Sequence, residues 1–264
     1  MKKLSTTHNL LSLNNYIQTS FDNNMDVDIV FFDFKKAFDN VNHHCLLQKL
    51  IHYGLHQSYV NLLCNYLYDH SQFTLCNNFS SMLLPCSSGV PQGSLIGPLL
   101  FMVFINDLPS MLTCESLLYA DNLKIFSKIS KSNYDEDVKH IQSNINNVLH
   151  WSSNCHLPIN VQKCNFVRFS KKTRLVSSTH MTVKYTLGDT DINQVDSYND
   201  LGVTLDKELS FNLHYNKIYG KALCCIFLLN RCFHRCDQII KIRLYKGYIL
   251  PILDYACQVW NPQH

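Results

Sequence analysis

Two carboxylates define the chemistry this sequence could do. Asp121 stands in Leu117–Phe126, LLYADNLKIF, between two apolar runs, and Asp33 lies near the end of Val27–Phe34, VDIVFFDF. The first stretch reads as two short strands joined by a two-residue turn at Asp121 and Asn122, a β-hairpin that lifts polar side chains clear of a sheet. One carboxylate alone holds a divalent cation weakly, so the hairpin calls for a partner, and Asp33 is the candidate. Carboxylates from two strands, brought to one sheet edge, offer the hard oxygen ligands that Mg²⁺ takes and that metal-assisted phosphoryl transfer requires. Asn122 would add an amide oxygen without a charge.

The elements that must position these residues are readable in outline. Val27–Phe34 lacks alternation and is rich in Val, Ile and Phe, which predicts a central strand covered on both faces. Before it, Leu10, Leu13, Ile17 and Phe21 recur at a helical period. After it, Lys35 to Leu50 sets Ala37, Phe38, Val41 and Cys45 on one helical face, so a helix directly following the strand is expected, with Asp33 at the strand's exit. Tyr59 to Tyr68 reads as helix, followed by a short hairpin from Phe73. Gly89 to Gly93, GVPQG, packs two glycines and a proline into five residues, a loop of fixed path. Ser94 and Pro98 suit a helix start, and LLFMVFI is apolar all round, which predicts a buried helix. Further on, Val138–Trp151 has helical spacing and NFVRF (Asn165–Phe169) is strand-like. Lys171 to Gln194 alternates weakly about a turn at Leu187-Gly188-Asp189, which predicts a hairpin added to the sheet, and Tyr215–Phe233 and Ile239–Trp260 read as two helices.

Composition bounds the rest. The 264 residues are 46% hydrophobic, enough for a substantial core. The 23 basic and 20 acidic residues give a net charge of +3, too even to signal nucleic-acid binding by itself. MKKLSTTHNLL has no apolar stretch behind its lysines and is not a secretory signal, and the longest apolar run, Leu95 to Ile105, is interrupted by Gly97 and Pro98. The expectation is an intracellular protein, cytoplasmic or nuclear, with no membrane partner. Twelve cysteines then read as reduced thiols. Cys224, Cys225, Cys232, His234 and Cys236 contain no CxxC pair and fall in a helix-like segment, which argues against zinc.

The strings FFDFKKAFDNV, SSGVPQGSLIGPLLF and LLYADN, in that order, resemble the polymerase core of reverse transcriptases, specifically those of non-LTR (LINE-type, jockey-like) retrotransposons. The resemblance runs from about Ser5 to Pro262. It implies an α+β fold: a right-hand palm with an antiparallel sheet, partial helical fingers and the start of a helical thumb. The implied division is residues 1–205 for truncated fingers and palm, and 206–264 for the primer-grip exit and partial thumb. The implied activity is RNA-directed DNA synthesis from an RNA template, a DNA primer and deoxynucleoside triphosphates, with two Mg²⁺ ions. Asp33 and Asp121 take the metal-binding positions, backbone groups near Phe34 complete the second ion's shell, and Phe38 takes the bulky position beneath the nucleotide's sugar. Asp39 and His43 match the pattern, as direct participants or as helix-entry hydrogen-bonding groups. Gln92 and Gly93 match the loop that lies against template base and nucleotide. WSSNCHLPINVQKC places Lys163 at a lysine assigned to the leaving pyrophosphate. LGVTL resembles the primer-grip hairpin, with Asp200 where the family has an aromatic residue.

The family's turn reads YADD and this one YADN. A lost metal-ligand charge worth roughly 3 to 5 kcal/mol slows the reaction by about 10²- to 10⁴-fold. The expectation is therefore an impaired polymerase domain, or else a non-catalytic retrotransposon remnant that at most binds nucleic acid.

Overall fold

A computed structural model describes residues 5–68, 70–171 and 183–261. Helix α1 (Thr6–Asp22) leads into β1 (Asp26–Phe32), then α2 (His43–His52) and α3 (Gln57–Tyr68). Two small ribbons follow, β2 (Ser71–Gln72) with β5 (Leu84–Pro85) outside β3 (Leu75–Cys76) with β4 (Phe79–Ser80). Helix α4 (Ile96–Ile105), the hairpin β6 (Glu115–Tyr119) and β7 (Asn122–Ile129), the long helix α5 (Tyr134–Asn154) and β8 (Asn165–Phe169) complete the central part. Beyond residue 183 come β9 (Thr186–Leu187), β10 (Thr190–Asp191), β11 (Asn193–Gln194) and a hairpin of β12 (Ser197–Asp200) and β13 (Val203–Asp206). The long helix Asn212–Cys232 and shorter helical pieces to Trp260 end the described chain.

Five strands form one sheet in the order β11-β8-β1-β7-β6, antiparallel throughout except for the β11–β8 pair. β1 is central, as its lack of alternation predicts. Its even-numbered residues Val30 and Phe32 enter one cluster with Leu123, Ile125 and Trp151; its odd-numbered Val27, Ile29 and Phe31 enter another with Leu10, Leu13 and Ile17 of α1. Alternate residues of a strand point to opposite faces, so a strand with apolar residues on both faces is the one that glues two layers together. One polar residue interrupts it. Asp28 is fully buried and is held bidentately by Arg168 of β8, 2.7 Å from Nε and 2.6 Å from the terminal nitrogen, while the Tyr185 hydroxyl donates to it at 2.6 Å. Burial first, and then the Asp28 charge, drives the Tyr185 hydroxyl well above the ordinary tyrosine range.

Away from the β6–β7 hairpin, the structure departs from the sequence-based expectations in four places. Helix does not follow β1 directly: residues 35–40 turn, Lys36 has φ +42°, and the Asn40 amide bonds the Lys35 carbonyl at 2.6 Å. The helix begins at His43, where the Asn42 side chain caps it by accepting from Cys45 N–H at 2.9 Å. Helix α4 is covered on one side only, with Leu100, Phe101 and Phe104 buried while Ile96, Leu99 and Met102 face out. Ile239–Trp260 is not one helix. Pro251 cannot donate and crowds the preceding turn, and the chain answers with a π turn over Tyr245–Ile249 and a break at Ala256, φ +52°. Finally, β9 and β10 pair with each other, and only β11 joins the sheet.

Candidate active site

The β6–β7 hairpin is offset by one residue from its sequence-based reading. Its two-residue turn is Ala120–Asp121, with Tyr119 paired to Asn122, so Asn122 is the first residue of β7 and is exposed. Ala120 carries φ +52°, the positive value that a tight hairpin needs at its first turn position. On the other side β7 pairs with β1, Phe32 against Leu123 and Phe31 against Lys124. Continuing that register by one residue sets Asp33 opposite Asn122, on the sheet face that Phe31 and Lys124 share, with Asp121 next to it in the turn.

Asp33 is fixed by its backbone. An isolated bridge between Phe34 and Ile159 brings the Asn160 N–H to the Asp33 carbonyl at 2.7 Å and the Lys35 N–H to the Pro158 carbonyl at 2.8 Å. The Phe34 carbonyl is not used by this bridge. The Phe34 ring is buried against Trp151, 6.1 Å between centroids, so any role of this residue toward a ligand falls to its backbone. The Asp33 side chain is 34% exposed, and Lys163, 67% exposed, holds its ammonium 3.8 Å from it. The structure thus brings Lys163 to the carboxylate from a short 3₁₀ turn, Val161–Lys163, immediately before β8.

The loop at Gly89–Gly93 docks on the turn after β1. Val90 N–H bonds the Phe38 carbonyl and Gly89 N–H the Val41 carbonyl, both at 2.8 Å. His43, 3% exposed, bonds the Gly89 carbonyl through Nε2 at 2.7 Å, and the Gln92 amide donates to the Asp39 carboxylate at 2.7 Å. Close approach of the two segments occurs at Gly89, where a Cβ would stand 2.7 Å from the Asp39 carbonyl oxygen. Gly93 has φ +83°, and a Cβ there would meet nothing within 4 Å, so at this position glycine serves conformation. Phe38 is half-buried and stacks on Phe101 at 4.4 Å.

Beneath Asn122, the β12–β13 hairpin covers the same face of the sheet. Tyr198 stacks on Phe31, 3.9 Å between centroids, and burial, then the charges of Asp200 and Asp33, push its hydroxyl up to about 12. Lys124 forms an ion pair with Asp200, both almost fully buried, and burial lowers the lysine's pKa despite that carboxylate. Neither the Lys124–Asp200 pair nor the Gln92–Asp39 bond could be read from spacing, since each joins residues more than 50 positions apart.

The donors on hand are oxygens: the Asp33 and Asp121 carboxylates, the Asn122 amide and the Phe34 carbonyl. Such a set fits Mg²⁺ and suits no soft metal. It holds two carboxylates only, and among the described residues no three His, Cys, Asp or Glu side chains converge, the Cys224–Cys236 group included.

A family model described as reverse transcriptase (RNA-dependent DNA polymerase) matches residues 2–205. The chain belongs to the reverse transcriptase family. Among curated proteins it is 28% identical over 242 residues to the RNA-directed DNA polymerase from mobile element jockey of Drosophila melanogaster, covering 88% of this chain and 25% of that protein. It is 28% identical over 271 residues to the probable RNA-directed DNA polymerase from transposon BS of the same organism, covering 97% and 29%. The chain thus spans 25% to 29% of the length of these relatives. Among solved structures, the apo telomerase from Candida tropicalis truncated from its C-terminal domain superposes with a TM-score of 0.50 at 13% identity, over 79% of this chain and 41% of that one. The palm-like α+β fold is therefore shared with a reverse transcriptase far removed in sequence. Reverse transcriptases depend on divalent metal, in keeping with the oxygen donors at the end of β1 and in the β6–β7 turn. Among the described residues no helix is long and apolar enough to cross a membrane.

Proposed function

We propose that this chain is the palm-centred part of an RNA-directed DNA polymerase whose metal site is weakened by Asn122. The observation that supports the reading is that β1 ends one residue before Asp33, beside the start of β7, whose hairpin turn holds Asp121. In this reading residues 1–205 are fingers and palm and 206–264 the primer-grip exit and thumb. RNA template, DNA primer and deoxynucleoside triphosphates are the ligands, and two Mg²⁺ ions are the cofactors. When bound, the ions would activate the primer 3′-hydroxyl and neutralise charge on the leaving pyrophosphate.

The chain's own residues do the rest. Asp33 and Asp121 would hold the ions, and the Asn122 amide would give an oxygen ligand without the charge. The Phe34 carbonyl stands at the same strand exit. Phe38, braced by Phe101, presents a ring that excludes a 2′-hydroxyl from the sugar position. Gln92, anchored on Asp39, and the open backbone at Gly93 form the surface for the nascent base pair. Lys163 is tethered loosely to Asp33 and is exposed enough to swing, which suits protonation of departing pyrophosphate.

A second reading, a non-catalytic remnant that binds nucleic acid, is favoured by Asn122 itself. Primer extension on an RNA template separates the two. The polymerase reading expects weak Mg²⁺-dependent extension by the chain, loss of it in Asp33→Asn and in Asp121→Asn, and a gain of about 10²-fold in Asn122→Asp. Binding of the hybrid without extension by either the parent or Asn122→Asp would establish the remnant. Extension undiminished in Asp33→Asn would refute the site.

A further inference from the structure

The β12–β13 hairpin is a two-stranded sheet of its own and shares no ladder with the five-stranded sheet. At its base the Ser170 N–H bonds the Lys207 carbonyl at 2.9 Å. Its tip is the Leu201–Gly202 turn, with φ of +44° and +89°, the two positive values of a type I′ turn. With no ladder to fix it, the height and register of this tip over β7 rest on side chains: Lys217 donates to the Asn199 side chain and the Thr204 N–H donates to His214 Nδ1, both at 3.2 Å, and three further side chains reach the tip. Tyr198 stacks on Phe31, the Tyr255 hydroxyl donates to the Leu201 carbonyl at 2.7 Å, and Lys124 pairs with Asp200.

These contacts differ in what they specify. A ring stack tolerates sliding, and Tyr255 reaches the hairpin from the C-terminal segment, away from β7. The ion pair is directional and joins the tip to the strand that carries Asn122. Lys124 is 3% and Asp200 4% exposed, so neither charge is tolerable there without the other. Lys124 lies two residues from Asn122, hence on the same face of β7, and Asp200 is the last residue of β12 before the turn. Asp200 also stands where the family pattern has an aromatic residue, so an ionic contact takes the place of a ring.

We propose that Lys124 and Asp200 are a positioning pair: their ion pair fixes the hairpin tip above the start of β7 and so sets the reacting end of a bound primer–template against Asp33 and Asp121. This rests on the polymerase reading. Replacing both partners by apolar residues removes the directional bond while leaving no orphaned charge, so the fold survives and the fixed height does not. Single replacements strand a buried charge and destabilise the protein.

The test uses binding and needs no turnover. Two labelled RNA–DNA hybrids of equal duplex length, one with a recessed DNA 3′ end on an RNA overhang and one blunt, are titrated with the parent and with the double variant Lys124→Met/Asp200→Leu, and thermal unfolding is recorded for each. The parent is expected to prefer the recessed hybrid about tenfold or more. The double variant is expected to unfold within a few degrees of the parent and to bind the blunt hybrid equally well, with its preference reduced to about threefold or less. Full preference in the double variant would reduce the pair to a structural contact and overturn the proposal. A parent with no preference would overturn the polymerase reading and this proposal with it. Should the double variant not fold, Asp200→Glu keeps both charges and lengthens the carboxylate arm by one methylene. A reduced recessed-end preference at an unchanged unfolding midpoint then supports the pair, and an unchanged preference overturns it.

Discussion

Replacing Asn122 by aspartate exchanges a neutral amide for a charge on the strand-end position that faces Asp33. Directly opposed Cβ atoms in an antiparallel pair lie about 4.5 to 5.5 Å apart. At about 5 Å two unit charges repel by roughly 1 kcal/mol in water and about 3 kcal/mol at an effective dielectric of 20. Asn122 is exposed and Asp33 is one-third exposed with Lys163 beside it, so the lower figure, roughly 1 kcal/mol, applies without metal. With Mg²⁺ the sign reverses. The folded variant has three anionic donors where the parent has two, and an ion present at about 100 times its Kd stabilises the folded state by about 2.7 kcal/mol. In a protein of this size that raises the unfolding midpoint by about 5 to 10 °C. The assay is thermal unfolding of parent and variant at low salt, with and without Mg²⁺, backed by calorimetric titration of the ion. The expected pattern is a variant slightly less stable than the parent without metal and clearly more stable with it. Equal Mg²⁺ shifts in both proteins would mean that residue 122 does not face a metal held by Asp33, and the register argument would fail.

Asp28→Asn leaves Arg168 and the Tyr185 hydroxyl without their anion and should cost about 3 to 5 kcal/mol in urea unfolding; a loss below about 1 kcal/mol would contradict the buried network. Gly89→Ala meets both a positive φ and the Asp39 carbonyl and should cost about 2 to 4 kcal/mol, whereas Gly93→Ala meets only the positive φ and should cost about 1 kcal/mol; equal urea midpoints would refute the close approach. His214 is held below the usual histidine range by burial and then by Lys217 and Lys221, and its Nδ1 accepts from the Thr204 N–H at 3.2 Å. The unfolded chain therefore takes up the proton first, so its stabilising effect is complete above about pH 6.5 and is lost as pH falls toward the lower folded value. Urea midpoints between pH 5 and 8 should show this fall in the parent and a shallower one in His214→Gln; identical slopes would exclude His214 as the source. Phe38→Val, measured in the Asn122→Asp background, should raise ribonucleotide incorporation relative to deoxynucleotide, and an unchanged ratio would remove Phe38 from the sugar position.

What was legible in the sequence was local and periodic. The apolar run of β1, the spacing of Leu10, Leu13 and Ile17, and the glycines of GVPQG each write their own geometry, and the structure places them as expected. The residues of the site could be named because their strings resemble a family, and the α+β palm came with that resemblance. What could not be read were contacts made across the fold. The helix expected from Lys35 yielded to Asn42, whose side chain starts the helix later than the apolar period suggests. The hairpin turn moved by one residue because Ala120 accepts a left-handed backbone, a cost invisible in a pattern that favours Asp-Asn as the turn. His43, whose direct or structural role was open, is a buried prop for the Gly89 carbonyl. Lys124 interrupts the second apolar run of the hairpin, and its burial follows from a contact the local pattern does not contain, the hairpin carrying Asp200 laid over it.

The central place of β1 has a consequence for how the chain is made. Asp28 meets Arg168 across 140 residues, so at about 5 to 20 residues per second the ribosome needs roughly 7 to 28 s to deliver the second flank of this strand after the strand itself has emerged. During that interval a segment rich in Val, Ile and Phe lacks at least one of its two ladder partners, the kind of window that seeds aggregation. Asp28 sits in its middle. Hydrated and charged before Arg168 arrives, it guards the nascent strand against pairing with copies of itself; once β8 docks, the same carboxylate becomes the centre of the buried network. On this account Asp28→Asn would reduce the soluble yield from cells by more than its loss of equilibrium stability explains.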